Sequence, residues 1–299
     1  MDNIQRLNAE FGIDSALTFR EGPGGLTVAA LITPSGSAKV ALHGGHVLEY
    51  TPAGQRPVLW LSDKAVFAPG KAIRGGIPVC WPWFGPHPTN AELPAHGFAR
   101  NARWEVISTN QDETLSITLG LKHSEETLAV WPHPFGLSIK VELSESLTVA
   151  LTAHNTGTQP IICSAALHSY FAISNISNIR ITGLEGAAFR DQIDGNFIKT
   201  EVDPIIFDSE VDRVYHDTVS ECIIEDSAWE RTMRIDKSGS RSTVVWNPWA
   251  AKAARMSDFG DDEYRDMVCV ETTNADSDTV TISPDEKHML TAVISASSN

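Results

Sequence analysis

The 299-residue chain carries 23 Lys and Arg against 38 Asp and Glu, a formal charge of −15 with its ten histidines neutral. With 42% hydrophobic and 20% charged residues it has the apolar material for a large core and too few charges for disorder. So acidic a chain, with no run of Lys or Arg, is unsuited to a nucleic-acid backbone or an anionic membrane surface, whereas a small anion needs only a few local arginines, since charge is screened over about 8 Å at physiological salt.

In chain order, residues 3–11 fit a terminal helix, and the charges spread through the first 21 residues leave no apolar stretch for export. No run approaches the roughly 18 apolar residues of a membrane span, so the expected location is the cytoplasm. A β-rich run falls at 26–32. Segments 72–86 and 93–100 are punctuated by Pro and Gly and read as loops. Leu115, Ile117 and Leu119, then Leu137, Ile139, Val141 and Leu143, then Leu147, Val149, Leu151 and Ala153 alternate with polar partners, and this period predicts three consecutive strands of one sheet. A short helix fits at 124–130. Further β-rich runs lie at 161–170, 179–182, 243–246, 267–271, 280–283 and 289–295, with another short helix at 249–256. So little helix disfavours a parallel sheet with crossovers and predicts an all-β sandwich or barrel. No repeat, low-complexity tract or Pro/Gly/Ser linker divides the chain, so one domain is expected over 1–299. Cys80, Cys163, Cys222 and Cys269 form no C-x-x-C pair and read as reduced thiols, Cys163 and Cys269 as small apolar residues of buried strands.

Three places could carry chemistry. The loops 72–86 and 93–100 set Trp81, Trp83 and Phe84 beside Arg74, His96 and Arg100, a mixture of flat apolar platforms and cationic donors suited to a sugar bearing an anionic group; the same aromatics could instead cap one end of a sandwich. His168 follows a run in which Ser164, Ala166, His168 and Tyr170 share one strand face and Cys163, Ala165 and Leu167 the other. A histidine on a small, polar face suits a cleft floor, where it titrates usefully near neutrality, although a lone strand histidine is often structural. Glu271 ends an apolar run, and a carboxylate there either sits at an exposed strand end or lines a site. Asp212, beside Arg213, is weaker, because such neighbours commonly mark a solvated turn. His43 and His46 flank two glycines with no further ligand at metal spacing, so no metal is expected. Neither a nucleophile elbow nor a phosphate-cradling glycine motif occurs, which argues against a serine hydrolase and against nucleotide chemistry.

The run Ile73-Arg74-Gly75-Gly76-Ile77-Pro78-Val79-Cys80-Trp81-Pro82, the segment Leu93-Pro94-Ala95-His96-Gly97-Phe98-Ala99-Arg100, then Ala166-Leu167-His168-Ser169-Tyr170-Phe171, Val211-Asp212-Arg213, Trp246-Asn247-Pro248 and Val268-Cys269-Val270-Glu271-Thr272 resemble, in order, the bacterial hexose-6-phosphate mutarotases. That family, also called glucose-6-phosphate 1-epimerases, is related to aldose 1-epimerases. The resemblance implies a large antiparallel β-sandwich of the galactose mutarotase-like type with a few short helices, interconverting the α and β anomers of a hexose 6-phosphate without a cofactor. It puts the base on Glu271 and the acid on His168, phosphate-holding arginines on Arg74 and Arg100, a substrate contact on Asp212, and a further sugar-side histidine on His96. A sugar contact made through Gln in some eukaryotic relatives is lost at Ala95.

The chemistry agrees with this assignment. Anomer exchange removes a proton from O1 while O5 receives one, the ring opens to the aldehyde, C1 rotates and the ring recloses. A carboxylate and an imidazolium can perform both transfers and recover on closure, so neither metal nor redox cofactor is required. The expected partner is the small sugar phosphate alone, handled by a monomer. Two other readings stay open: a non-catalytic carbohydrate binder or sugar sensor on the same fold, which would need neither His168 nor Glu271, and a mutarotase of neutral aldoses, which would leave Arg74 and Arg100 without an anion.

Overall fold

The computed structural model describes residues 3–298. Period-two alternation dominates it, and all strand pairings between its sheet strands are antiparallel. The three strands expected from alternation are Leu115–Lys122, Phe135–Leu143 and Leu147–Asn155, neighbours in one eight-stranded sheet. That sheet continues through Lys287–Ser298, Arg231–Ser238 and Cys222–Asp226 to Ile179–Thr182, and ends on its other side at Glu105–Asn110. The inward residues Ile139, Val141, Val149 and Leu151 pack in one core with Val245, Val268, Val270 and Leu167 of a second sheet. Two sheets sharing a core in this way make the expected sandwich.

The second sheet runs Phe197–Thr200, Ala188–Asp191, Val211–His216, Ser242–Asn247, Met267–Asn274, Ala165–Leu167 and Val79–Cys80, with Tyr170–Ala172 also paired to Met267–Asn274. Its outer face is covered as well. Val214, Val244, Trp246 and Cys269 on that face pack with Trp60, Tyr170, Phe259 and Tyr264 in a second apolar cluster. Burial on both faces explains why the central strand Met267–Asn274 is buried along its whole length and reads as a nearly continuous apolar run. A four-stranded meander from Leu17–Glu21 to His46–Pro52 and a two-stranded pair of Ile161–Cys163 with Val280–Ile282 complete the strands described here.

Helix is confined to short pieces. Asn3–Phe11 forms as expected, and Glu125–Val130 starts at Ser124, whose hydroxyl accepts from the Thr127 amide in a capping box. The helix expected over 249–256 covers only Trp249–Ala253. The run 161–170 differs more. It is split into Ile161–Cys163, Ala165–Leu167 and Tyr170–Ala172, and the amide of His168 donates to Pro78 O rather than to a neighbouring sheet strand. Local alternation cannot reveal such an interruption, because its cause is the close passage of residues 76–78.

Candidate active site

A cavity of about 630 Å³ opens on the outer face of the second sheet, lined by residues that include Arg74, His96, His168, Asp212 and Glu271. Register explains their convergence. Val244 lies opposite Glu271 on one side and Val214 on the other, while Trp246 lies opposite both Asp212 and Cys269. Glu271 and Asp212 therefore point to the same face from strands separated by one neighbour. His168 reaches that face from the gap between two short strands, and His96 from the second loop.

His168 Nε2 is 3.4 Å from Glu271 Oε1, and both side chains are almost wholly buried. His168 Nδ1 and Glu271 Oε2 are buried without a hydrogen-bond partner among the described residues. Burial pushes the Glu271 carboxyl well above the usual range, with Asp212 adding to the shift and Arg100 opposing it. Burial pushes His168 well down, helped by His96, Arg100 and Arg74. Both shifts act against the ion pair and toward carboxylic acid beside neutral imidazole. The two arrangements hold the same single proton.

His96 sits at φ +67°, and its Nδ1 accepts from the Gly85 amide at 3.3 Å. That contact fixes the proton of the neutral ring on Nε2, and desolvation holds the pKa down to about 3, so the ring stays a donor. Gly97, at φ +70°, follows directly; a Cβ there would lie 2.0 Å from Trp81 O, which accounts for the glycine. Asp212 accepts from Gln192 Nε2 at 2.5 Å and faces Lys252 Nζ at 3.4 Å. Burial raises its pKa despite Lys252. It lies in a strand and not in the solvated turn that its neighbour Arg213 suggested.

The cations of the cavity are all partnered. Arg74 spans Asp258 through Nε at 3.2 Å and Nη2 at 3.1 Å and donates from Nη1 to Tyr170 Oη at 2.9 Å. Arg190 grips Asp276 through Nε and Nη2 at 2.7 and 2.8 Å and reaches Asn196 at 2.7 Å. Lys252 holds Glu210 at 2.9 Å besides Asp212. Arg100 does not line the cavity: its Nη2 donates to Ala95 O at 3.0 Å, beside His96. The aromatic loop also behaves differently from the platform expectation. Trp81 is buried against Phe98, Trp131 and Phe135, and the Trp83 indole donates to Pro94 O, so of the three only Phe84 reaches the cavity. Trp81 anchors the loop to the core, and Trp83 ties it to the second loop.

Arg190, Gln192, Asn196, Lys252 and Asp276 were not singled out from the sequence, since isolated polar residues in weakly patterned segments carry no signal. Lys252 alone had one, as the single charge in a short helix just after the Trp246-Asn247-Pro248 motif. His43 and His46 are structural: their Nε2 atoms contact the carbonyls of Lys71 and Gly75 at 2.6 and 2.8 Å. All four cysteines are buried and unpaired. Among the described residues no helix is long and apolar enough to cross a membrane.

Comparison with known proteins gives the same picture. A family model described as aldose 1-epimerase matches residues 28–295. A protein of Salmonella typhimurium named "Putative glucose-6-phosphate 1-epimerase" is 38% identical over 244 residues, 81% of each chain. The crystal structure of "a putative mutarotase" from the same species superposes with a TM-score of 0.90 at 32% identity over 99% of both chains. A "galactose mutarotase-like protein" of Clostridium acetobutylicum, at 16% identity and a TM-score of 0.73 over 95% of this chain and 98% of its own, shares the fold.

Proposed function

We propose that this chain, which belongs to the aldose 1-epimerase family, interconverts the α and β anomers of hexose 6-phosphates, glucose 6-phosphate foremost, with His168 and Glu271 as the proton-transfer pair. The observation that carries the reading is the 3.4 Å approach of His168 Nε2 to Glu271 Oε1 on the floor of a polar cavity. O1 and O5 are bonded to the same carbon, so the donor and acceptor of the two protons must converge on one point. An adjacent pair meets that need.

The cycle follows from the proton count. Glu271 as carboxylate takes the O1 proton while His168 as imidazolium gives one to O5, leaving the aldehyde beside the neutral pair. Closure on the other face reverses both transfers. Because burial acts against the ion pair, the two transfers that open the ring also discharge both groups to their neutral forms. His96 offers its Nε2 proton to a sugar oxygen without itself charging, and Asp212 accepts from a sugar hydroxyl.

Arg74 retains N–H capacity on its terminal nitrogens beyond its bonds to Asp258 and Tyr170, and is the phosphate donor we favour. Arg100 acts from behind, holding the Ala95 carbonyl and drawing the Glu271 pKa back down. We place the reaction in the cytoplasm and assign it to a monomer; four unpaired thiols suit a reducing compartment. One observation favours a second reading, turnover of neutral aldoses: Arg74, Arg190 and Lys252 already hold carboxylates.

Saturation-transfer NMR on glucose 6-phosphate and on glucose, side by side, decides between the readings. Faster exchange between the anomers of the phosphate supports the proposal, equal or greater enhancement with glucose supports the second reading, and no enhancement with either would leave a sugar binder.

A further inference from the structure

His168 and Glu271 have a third neighbour that the proton transfers do not use. Among the described residues, His168, Cys269 and Glu271 form a buried group whose donor atoms all lie within 4.8 Å of one another. We propose that this trio is an inhibitory site for a thiophilic divalent cation of the zinc and cadmium type, which on binding takes both proton-transfer groups out of action.

The backbone places the ligands. Cys269 and Glu271 are two apart on the strand Met267–Asn274 and so share a face, with Cys269 opposite Trp246 beneath the aromatic cover. His168 arrives from the adjoining segment. Its nitrogen and the Glu271 oxygen are 3.4 Å apart, close to the roughly 3.3 Å edge of a tetrahedron built on zinc bonds of about 2.0–2.1 Å. That edge therefore exists before any ion arrives. The thiol, within 4.8 Å of both, has to close by no more than about 1.3 Å to reach the corresponding edge to sulfur at a zinc–sulfur bond of about 2.3 Å.

Ligand capacity and charge also fit. His168 Nε2 and Glu271 Oε1 face each other at 3.4 Å, and the ion takes the place of that mutual contact while Nδ1 and Oε2 keep their surroundings. Imidazole, carboxylate and thiolate form a mixed set with affinity for zinc, and the two anions cancel a dication, so the filled site buries no net charge. His168 and Glu271 line the cavity, which gives the ion an entry path and leaves a fourth position open to water. Binding displaces protons from the ligands and is opposed by acid.

The inhibition arm of the test rests on the roles proposed above for His168 and Glu271; the binding arm does not. Reduced protein is titrated with Cd²⁺ alone while the ultraviolet charge-transfer band of a cadmium thiolate is recorded, and anomerisation is measured in parallel. The wild type is expected to develop the band with one equivalent and to lose activity by about tenfold or more, with recovery on adding EDTA. Cys269→Ala should turn over like the wild type without metal, lack the band, and need about tenfold more Cd²⁺ for the same inhibition. His168→Ala, read by the band alone, should bind about tenfold more weakly. A wild type without the band, or a folded Cys269→Ala that binds and is inhibited as the wild type is, overturns the site. Should Cys269→Ala fail to fold, the band in wild type against His168→Ala decides, and equal affinities overturn the proposal. A protein with no turnover on any sugar leaves the binding arm to stand or fall by the band.

Discussion

The imidazole of His168 stacks on the ring of Tyr170, with centroids 4.7 Å apart and planes 10° from parallel, and the phenol oxygen of the same tyrosine accepts a hydrogen bond from Arg74. Tyr170 is thereby a positioning residue for two groups at once. Tyr170→Phe keeps the stack and releases Arg74, so KM for the sugar phosphate is expected to rise several-fold with kcat nearly unchanged. Tyr170→Leu removes the stack and should lower kcat by about tenfold, the scale of an aromatic pair worth about 0.5–1.5 kcal/mol. Steady-state kinetics on both variants separate the two effects.

His168→Ala and Glu271→Gln are each expected to slow anomerisation by at least about 10² while the circular-dichroism spectrum stays native. Either folded variant turning over at near wild-type rate would remove that residue from the mechanism.

The pH profile follows the pair rather than either residue. Burial lowers His168 from 6.5 and raises Glu271 from 4.5, so the pair accepts a second proton only below the ordinary histidine range and surrenders its one proton above the ordinary carboxylate range. The kcat/KM curve should be a bell whose acidic limb falls below pH 6.5. Free glucose as a parallel substrate excludes the phosphate's own titration near about pH 6. An acidic limb above the ordinary histidine value on both substrates would contradict the buried, one-proton pair.

The arginines separate by position. Arg74→Ala is expected to cost glucose 6-phosphate about 1.5–3 kcal/mol in kcat/KM, the worth of a hydrogen bond to a charged group, with little effect on glucose. Arg100→Ala should weaken both substrates in similar proportion, because Arg100 supports the Ala95–His96 backbone from outside the cavity lining. Competition kinetics with the two sugars measure the ratio, and a selective loss in Arg100→Ala would return the phosphate to that residue.

Acid should loosen the fold through His46. The ring is fully buried and neutral, and burial holds its pKa down to about 3 against 6.5 for the exposed residue. Between these values the unfolded chain binds a proton that the folded chain refuses, so the contribution is intact above pH 6.5 and is lost as pH falls toward 3. Urea midpoints are expected to drop across this window, and His46→Asn should flatten the slope even where it lowers the overall stability.

Much of the site was legible because its residues carry chemistry in distinctive company: Arg74 among glycines and prolines, His168 between small residues, Glu271 at the end of an apolar run. The sheet strands around Leu115, Leu137 and Leu147 were legible because one face of each is solvated and alternation survives. What could not be read depends on distant partners. Asp212 looked solvated beside Arg213, yet the strand Val211–His216 carries it into the cavity. Trp81 looked like a platform, yet Trp131 and Phe135 draw it into the core. Whether a tryptophan faces a ligand or a neighbour is decided by residues fifty positions away, and local pattern holds no record of them.

The interruption of the strand at His168 ties its motion to that of the first loop. The amides of His168 and Tyr170 donate to Pro78 O and Gly76 O, the Gly76 amide donates to Trp60 O, and the Trp60 amide donates back to Tyr170 O. Solvent can reach these four amides only by parting that lacing, so in hydrogen-exchange terms they form one opening unit. A ligand gripped by Arg74 would therefore slow exchange at the backbone of His168 without touching it, and His168 and the loop that carries Arg74 would be lost or kept together in every partial unfolding of this end of the molecule.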